Sequence, residues 1–192
     1  SCTRPTRSSS GPPAREANPS GRFVHQGDGM FLLGHLGIGL GLAWLLAWKS
    51  PVRVDYRLVL LGAILPDLID KPLGIALGLE TRIWAHTFLF LFAVLALSLV
   101  PAARNARFVG FGVATHLFLD EMWTQSETLL YPAYFWVFPP APFSAGFWFD
   151  TLLHDPFVQA GEIIGAIILV AFALTHRIRS WTRPSPSTAA RR

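Results

Sequence analysis

The chain has 192 residues, 52% of them hydrophobic and only 15% charged, with 16 Lys or Arg against 12 Asp or Glu. A soluble domain carries about a quarter charged residues, so this deficit and several apolar runs near 20 residues place the chain among polytopic membrane proteins and leave no room for a separate soluble domain. The net charge of +4 comes from basic residues in loops and tails, which is the pattern of membrane topology and argues against nucleic acid as a partner, while the single cysteine, Cys2, excludes an internal disulfide and a Cys-based zinc site.

Residues 1–29 are rich in Ser, Pro, Gly and Arg and read as a disordered N-terminal arm, without the apolar core of a signal peptide. Met30 stands directly before the first apolar run, so two readings stand side by side: a natural start at Met30, or a genuine arm. A membrane domain then spans 30–180, and 181–192 reads as a disordered tail.

Within the domain, five segments are long enough to cross: Met30 to Trp48, Leu58 to Leu79 interrupted at Pro66, Ile83 to Ala103, Phe108 to Trp123, and Ala160 to Thr175. The expected fold is all-α, a polytopic membrane helix bundle of about five transmembrane helices. Between the last two lies an aromatic, proline-rich stretch from Tyr131 to Phe149, which fits an interfacial or re-entrant segment because Trp and Tyr favour the headgroup level. Lys49, Arg53 and Arg57, then Arg104 and Arg107, then Arg177, Arg179 and Arg183 mark the cytoplasmic ends by the positive-inside rule. That rule predicts a multi-pass inner-membrane protein with the aromatic loop outside.

Polar residues inside these segments are costly in lipid and mark functional sites. They stand in Gly34-His35-Leu36-Gly37, Pro66-Asp67-Leu68-Ile69-Asp70, Arg82-Ile83-Trp84-Ala85-His86 and His116-Leu117-Phe118-Leu119-Asp120. The predicted orientation puts all of them at similar depth on the outward side, although it was derived from Lys and Arg alone. His116 and Asp120 are four apart and project from one helical face, as metal ligands or as a hydrogen-bonded couple. Asp67 and Asp70 are three apart and also share a face, and Pro66 disturbs the helix and frees carbonyls that a site can use. Arg82 and Lys71 are candidates to meet an anionic substrate group. His154 and Glu162, on the same side, join Asp70 as candidates for a general base, or are merely interfacial. Neither a Ser nucleophile elbow nor a Gly-x-Gly-x-x-Gly turn is present.

The order of a Gly-flanked His, then Leu65-Pro66-Asp67-Leu68-Ile69-Asp70, then a His after Arg82, then Thr115-His116-Leu117-Phe118-Leu119-Asp120 resembles the membrane-bound metal-dependent hydrolase family, described as inner-membrane-associated. The similarity runs from Met30 to the end of the fifth segment. It implies metal binding through His35, Asp67, His86, His116 and Asp120, with Asp70 as a ligand or a group behind the ligands. One departure is that members often read His-Arg-x-x-Thr-His, whereas here Glu80 to His86 lacks the first His and has Ala85 for the Thr. The ligand order is also loosely similar to that of zinc-dependent phospholipase C enzymes.

The reading that follows is a metal-dependent hydrolase acting on a phosphoester or ester of a lipid-like substrate. Histidine and carboxylate ligands suit Zn²⁺ best, with Mn²⁺ as an alternative. Two ions sharing Asp67 or Asp120 fit the number of ligands. Trp123, Tyr131, Trp136 and Trp148 are expected to wall the site near the headgroups, within reach of the bilayer. The rivals are a metal or proton transporter and a protein with a structural metal. Transport predicts polar residues at several depths, whereas the inward helix halves are apolar apart from Ser98.

Overall fold

The computed structural model describes residues 30–48, 53–134, 136–138 and 145–181, so the expected arm over 1–29 and the tail beyond 181 lie outside the described residues. Every described element is a helix: α1 (Leu32–Trp48), α2 (Tyr56–Leu77), α3 (Phe88–Leu97), α4 (Ala106–Leu119), α5 (Ser126–Leu129), α6 (Ala145–His154) and α7 (Pro156–Trp181), with short 3-10 turns at Pro101–Ala103 and Met122–Thr124.

Local chemistry sets the ends. The Asp55 carboxylate accepts from the Arg57 N–H and opens α2, and Gly78, at φ 65°, closes it in the left-handed region where a side chain would be strained. Thr87 caps α3 by accepting from the Phe90 N–H. Pro66 and Pro72 sit inside α2 without ending it, against the expectation of an interrupted segment. The expected third crossing is more deeply revised. Residues 79–87 are irregular, and the helix proper covers only Phe88–Leu97.

Packing pairs α2 with α4 and α1 with α7, while α1 also touches α2 and α4, and α3 leans on α4. Glycines permit both main crossings. A Cβ on Gly37 would stand 2.1 Å from the Gly165 carbonyl oxygen, and one on Gly62 would stand 2.1 Å from that of Val109, so neither crossing admits a side chain.

The outer surface is apolar. Phe88, Leu89 and Phe92 on α3 and Ile163, Ile167, Val170 and Leu174 on α7 are all exposed, on a scale that water does not tolerate. One described helix, over Pro156–His176, is both long and apolar enough to cross a membrane, not five. The count falls because α1, α3 and α4 are shorter apolar helices and α2 carries Arg57, Asp67, Asp70 and Lys71. The described part of the aromatic stretch contains turns and then α6, with Tyr134 and Trp136 exposed and Phe138 buried against Tyr131 and Trp84.

Candidate metal centre

The polar residues of α1, α2, α4 and the 79–87 segment meet at one end of the bundle. Asp67, His86, His116 and Asp120 each offer a ligand atom, and these four atoms lie within 4.8 Å of one another. His35 borders the group, with its ring 4.1 Å from that of His116 and its Nε2 3.0 Å from Asp120 Oδ1. Four of these five side chains are buried, and Asp67 is half-buried.

The histidine tautomers follow from their partners. Carbonyl and carboxylate oxygens only accept, so each Nδ1 facing one must carry the proton. His35 Nδ1 donates to the Phe31 carbonyl at 2.8 Å, His116 Nδ1 to the Ala63 carbonyl at 2.8 Å, and His86 Nδ1 to Asp70 Oδ2 at 2.7 Å. In the neutral rings all three Nε2 atoms are then bare lone pairs. The Ala63 carbonyl lies one residue after that of Gly62, which Pro66 leaves without its intrahelical donor.

Those lone pairs point at acceptors. His86 Nε2 and His116 Nε2 are 3.1 Å apart, and each lies 3.6–3.8 Å from Asp67 Oδ1 and Asp120 Oδ2. His35 Nε2 and Asp120 Oδ1 are buried without a hydrogen-bond partner despite their proximity. A proton can bridge one such pair. A cation with several coordination positions relieves all of them at once, so the donor set fits a divalent metal.

Asp70 lies behind the ligands. It is fully buried, and besides His86 Nδ1 its oxygens accept from the backbone N–H groups of Ile83, Ala85 and His86 at 2.9–3.1 Å. Three backbone N–H groups within residues 83–86 thus wrap a carboxylate, which anchors the irregular segment and orients the His86 ring. The close seat of that segment on α2 depends on Gly74, where a Cβ would stand 2.2 Å from the Glu80 carbonyl oxygen.

Two cations serve the carboxylates. Arg82 Nε donates to Asp120 Oδ2 at 3.0 Å, and Lys71 Nζ to Asp67 Oδ2 at 2.5 Å. With the histidines neutral, these two cations, Lys71 on Asp67 and Arg82 on Asp120, leave the third carboxylate, Asp70, uncompensated among the described residues, an excess negative charge that a divalent ion would reverse. Beside Arg82, burial raises the Glu80 carboxyl above its usual range, although Arg82 pulls the other way.

The three candidate bases are not brought together. Asp70 is spent on the nest just described. Both Glu162 oxygens accept from the first turn of α1, at 2.7 Å from the Gly34 N–H and 3.1 Å from that of Leu33. His154 is exposed and pairs with Asp150 one turn earlier, at 2.9 Å. The contributions hidden from sequence reasoning are the Phe31 and Ala63 carbonyls. The spacing of four between Phe31 and His35 was a usable signal, whereas the Ala63 contact crosses between helices and left none.

An apolar-surfaced helical protein of this kind belongs among membrane proteins, and its buried Asp67, His86, His116 and Asp120 cluster could hold a metal ion. The chain belongs to the YdjM inner membrane protein family, whose model matches residues 30–183. No curated protein and no solved structure matches it.

Proposed function

We propose that this chain is a membrane-embedded, metal-dependent hydrolase acting on a phosphoester or ester of a lipid-like substrate. The observation that carries the reading is the convergence of three histidine Nε2 atoms and two carboxylates in a buried space, each ring oriented by a bond from Nδ1. A divalent ion held there, Zn²⁺ by the nature of the ligands, supplies an acidified water and polarises the phosphoryl or acyl oxygen.

The chain's own residues supply the rest. His86, His116, Asp67 and Asp120 hold the ion, and His35 completes the set through its approach to Asp120. Asp70 keeps His86 in register. Arg82 and Lys71 sit where they neutralise Asp120 and Asp67, and they are the groups able to turn toward an incoming anionic headgroup.

A lipid-like substrate follows from location. The cluster lies near one end of helices whose outer faces are apolar, so a substrate already in the bilayer reaches it sideways. By the positive-inside rule this end faces away from the cytoplasm. The shorter apolar helices α1, α3 and α4 support a multi-pass arrangement.

The test combines composition and turnover. Purified protein is expected to contain one or two zinc or manganese ions per chain, lost in His116→Ala, and to hydrolyse phosphoesters presented in a bilayer. Asp120→Asn is expected to retain the helical fold and lose turnover. Metal-free protein with unchanged turnover would refute the reading, and so would zinc-loaded protein inactive on a broad panel of lipid esters.

A further inference from the structure

The end of the bundle opposite the metal centre carries a second feature. A cleft of about 580 Å³ opens there, lined by residues of the α2 start (Arg53 to Arg57), by Asn105 and Phe108 at the α4 start, and by Phe172 and His176 near the α7 end. Phe108 precedes His116 by eight residues, and Trp44 follows His35 by nine, so about 12 Å or more of helix separates the cleft from the cluster.

The walls are of two kinds. Tyr56, Phe172 and His176 form an aromatic side: Tyr56 meets Phe172 edge-on at 4.9 Å, and His176 stacks on Phe172 at 3.9 Å. The rim is basic. Arg53 and Arg57 are exposed, and neither side chain has an ion-pair partner among the described residues. Arg107 stands over the Phe108 ring at 4.8 Å, adding a third positive charge nearby. The one acid in the lining, Asp55, has an oxygen taken by the Arg57 backbone N–H at 3.1 Å.

We propose that this cleft binds the phosphate of an anionic phospholipid headgroup, with Arg53 and Arg57 meeting the phosphate and the Tyr56, Phe172 and His176 side packing on the glycerol and upper chain. Free phosphate needs neither an aromatic wall nor a space of this size. A headgroup uses both, and basic pockets between helices at the cytoplasmic surface are where anionic lipids are held. The same basic residues mark this end as cytoplasmic by the positive-inside rule, so the site lies in the leaflet that is rich in negative charge. The inference stands apart from the proposed hydrolase, because no residue of the cleft belongs to the metal centre.

Native mass spectrometry of the full chain in detergent, titrated separately with phosphatidylglycerol and phosphatidylcholine, tests it. Phosphatidylglycerol should be retained at about tenfold lower concentration than phosphatidylcholine, and Arg53→Gln/Arg57→Gln should abolish that preference. Arg104→Gln, a loop arginine outside the lining, should leave it intact. Circular dichroism of each variant checks that helix content is unchanged, and Asn105→Asp, which adds a negative charge to the lining, should weaken retention without removing an arginine. Equal retention of the two lipids, a preference surviving the double substitution, or equal loss in Arg104→Gln would overturn the proposal. Complete displacement of the lipid by millimolar inorganic phosphate would reassign the cleft to the free ion and overturn the lipid.

Discussion

Asp70→Asn isolates the part of the candidate centre that lies behind the four converging ligand atoms. The substitution keeps volume and removes charge. In the wild type, four N–H donors converge on the carboxylate: those of Ile83, Ala85 and His86 in the backbone, and His86 Nδ1. If the Asn oxygen takes the Oδ2 position, all four bonds survive but lose their charge assistance, which costs about 1 kcal/mol each. The amide nitrogen then occupies the Oδ1 position, 3.0 Å from the Ala85 N–H, where donor faces donor. Relief of the desolvation of a fully buried carboxylate offsets part of this loss, leaving a net destabilisation of about 2 kcal/mol. The His86 ring keeps its tautomer but loses the anion that raises its basicity, for which metal affinity falls by about 10- to 100-fold. Zinc competition against a chromophoric chelator, together with thermal unfolding in detergent with and without zinc, measures both effects. A variant that binds zinc within about twofold of wild type and unfolds at the same temperature would refute the role given to Asp70.

Three further outcomes are expected. Removing metal with a strong chelator should lower the unfolding temperature, and excess zinc should restore it, since ligand at about 100 times its Kd adds about 2.7 kcal/mol. Gly37→Val should cost about 1–3 kcal/mol in a denaturation assay because its Cβ meets the Gly165 backbone, whereas Gly41→Ala meets side-chain atoms of Ile168, Cγ2 at 3.0 Å and Cδ1 at 3.2 Å, rather than backbone, and should cost less. With Cys2 replaced, single cysteines at 134 or 136 should react with an impermeant thiol reagent added outside, and those at 53 or 104 should not; the reverse pattern would invert the orientation.

The residues that converge at the candidate centre were legible because lipid makes His and Asp conspicuous. The role of Asp70 was not. Its spacing of three from Asp67 suggests a shared face and a shared task, yet the irregular 79–87 segment folds over Asp70 and makes it an anchor for backbone. Nothing periodic in Glu80 to Thr87 announces that loop. The Glu162 contact was equally hidden, since a carboxylate on α7 caps α1 across 128 residues of sequence. The expected five crossings were read from apolar composition, which does not reveal that a segment rich in Phe and Leu forms only the helix Phe88–Leu97. The Thr87 cap that begins it was visible in the sequence and marks the boundary.

Of the described helices, the one fit by length and composition to span the bilayer contributes none of the converging ligand atoms. α7 reaches the metal-centre end through α1, where Gly37 meets Gly165 and Glu162 holds the Gly34 N–H. Anchorage and chemistry are thus separate parts joined by one crossing. A helix that tilts to match a thicker or thinner bilayer can do so at modest cost. Through this crossing a tilt of α7 would reach α1, the helix that carries His35, before the helices that carry the other converging side chains.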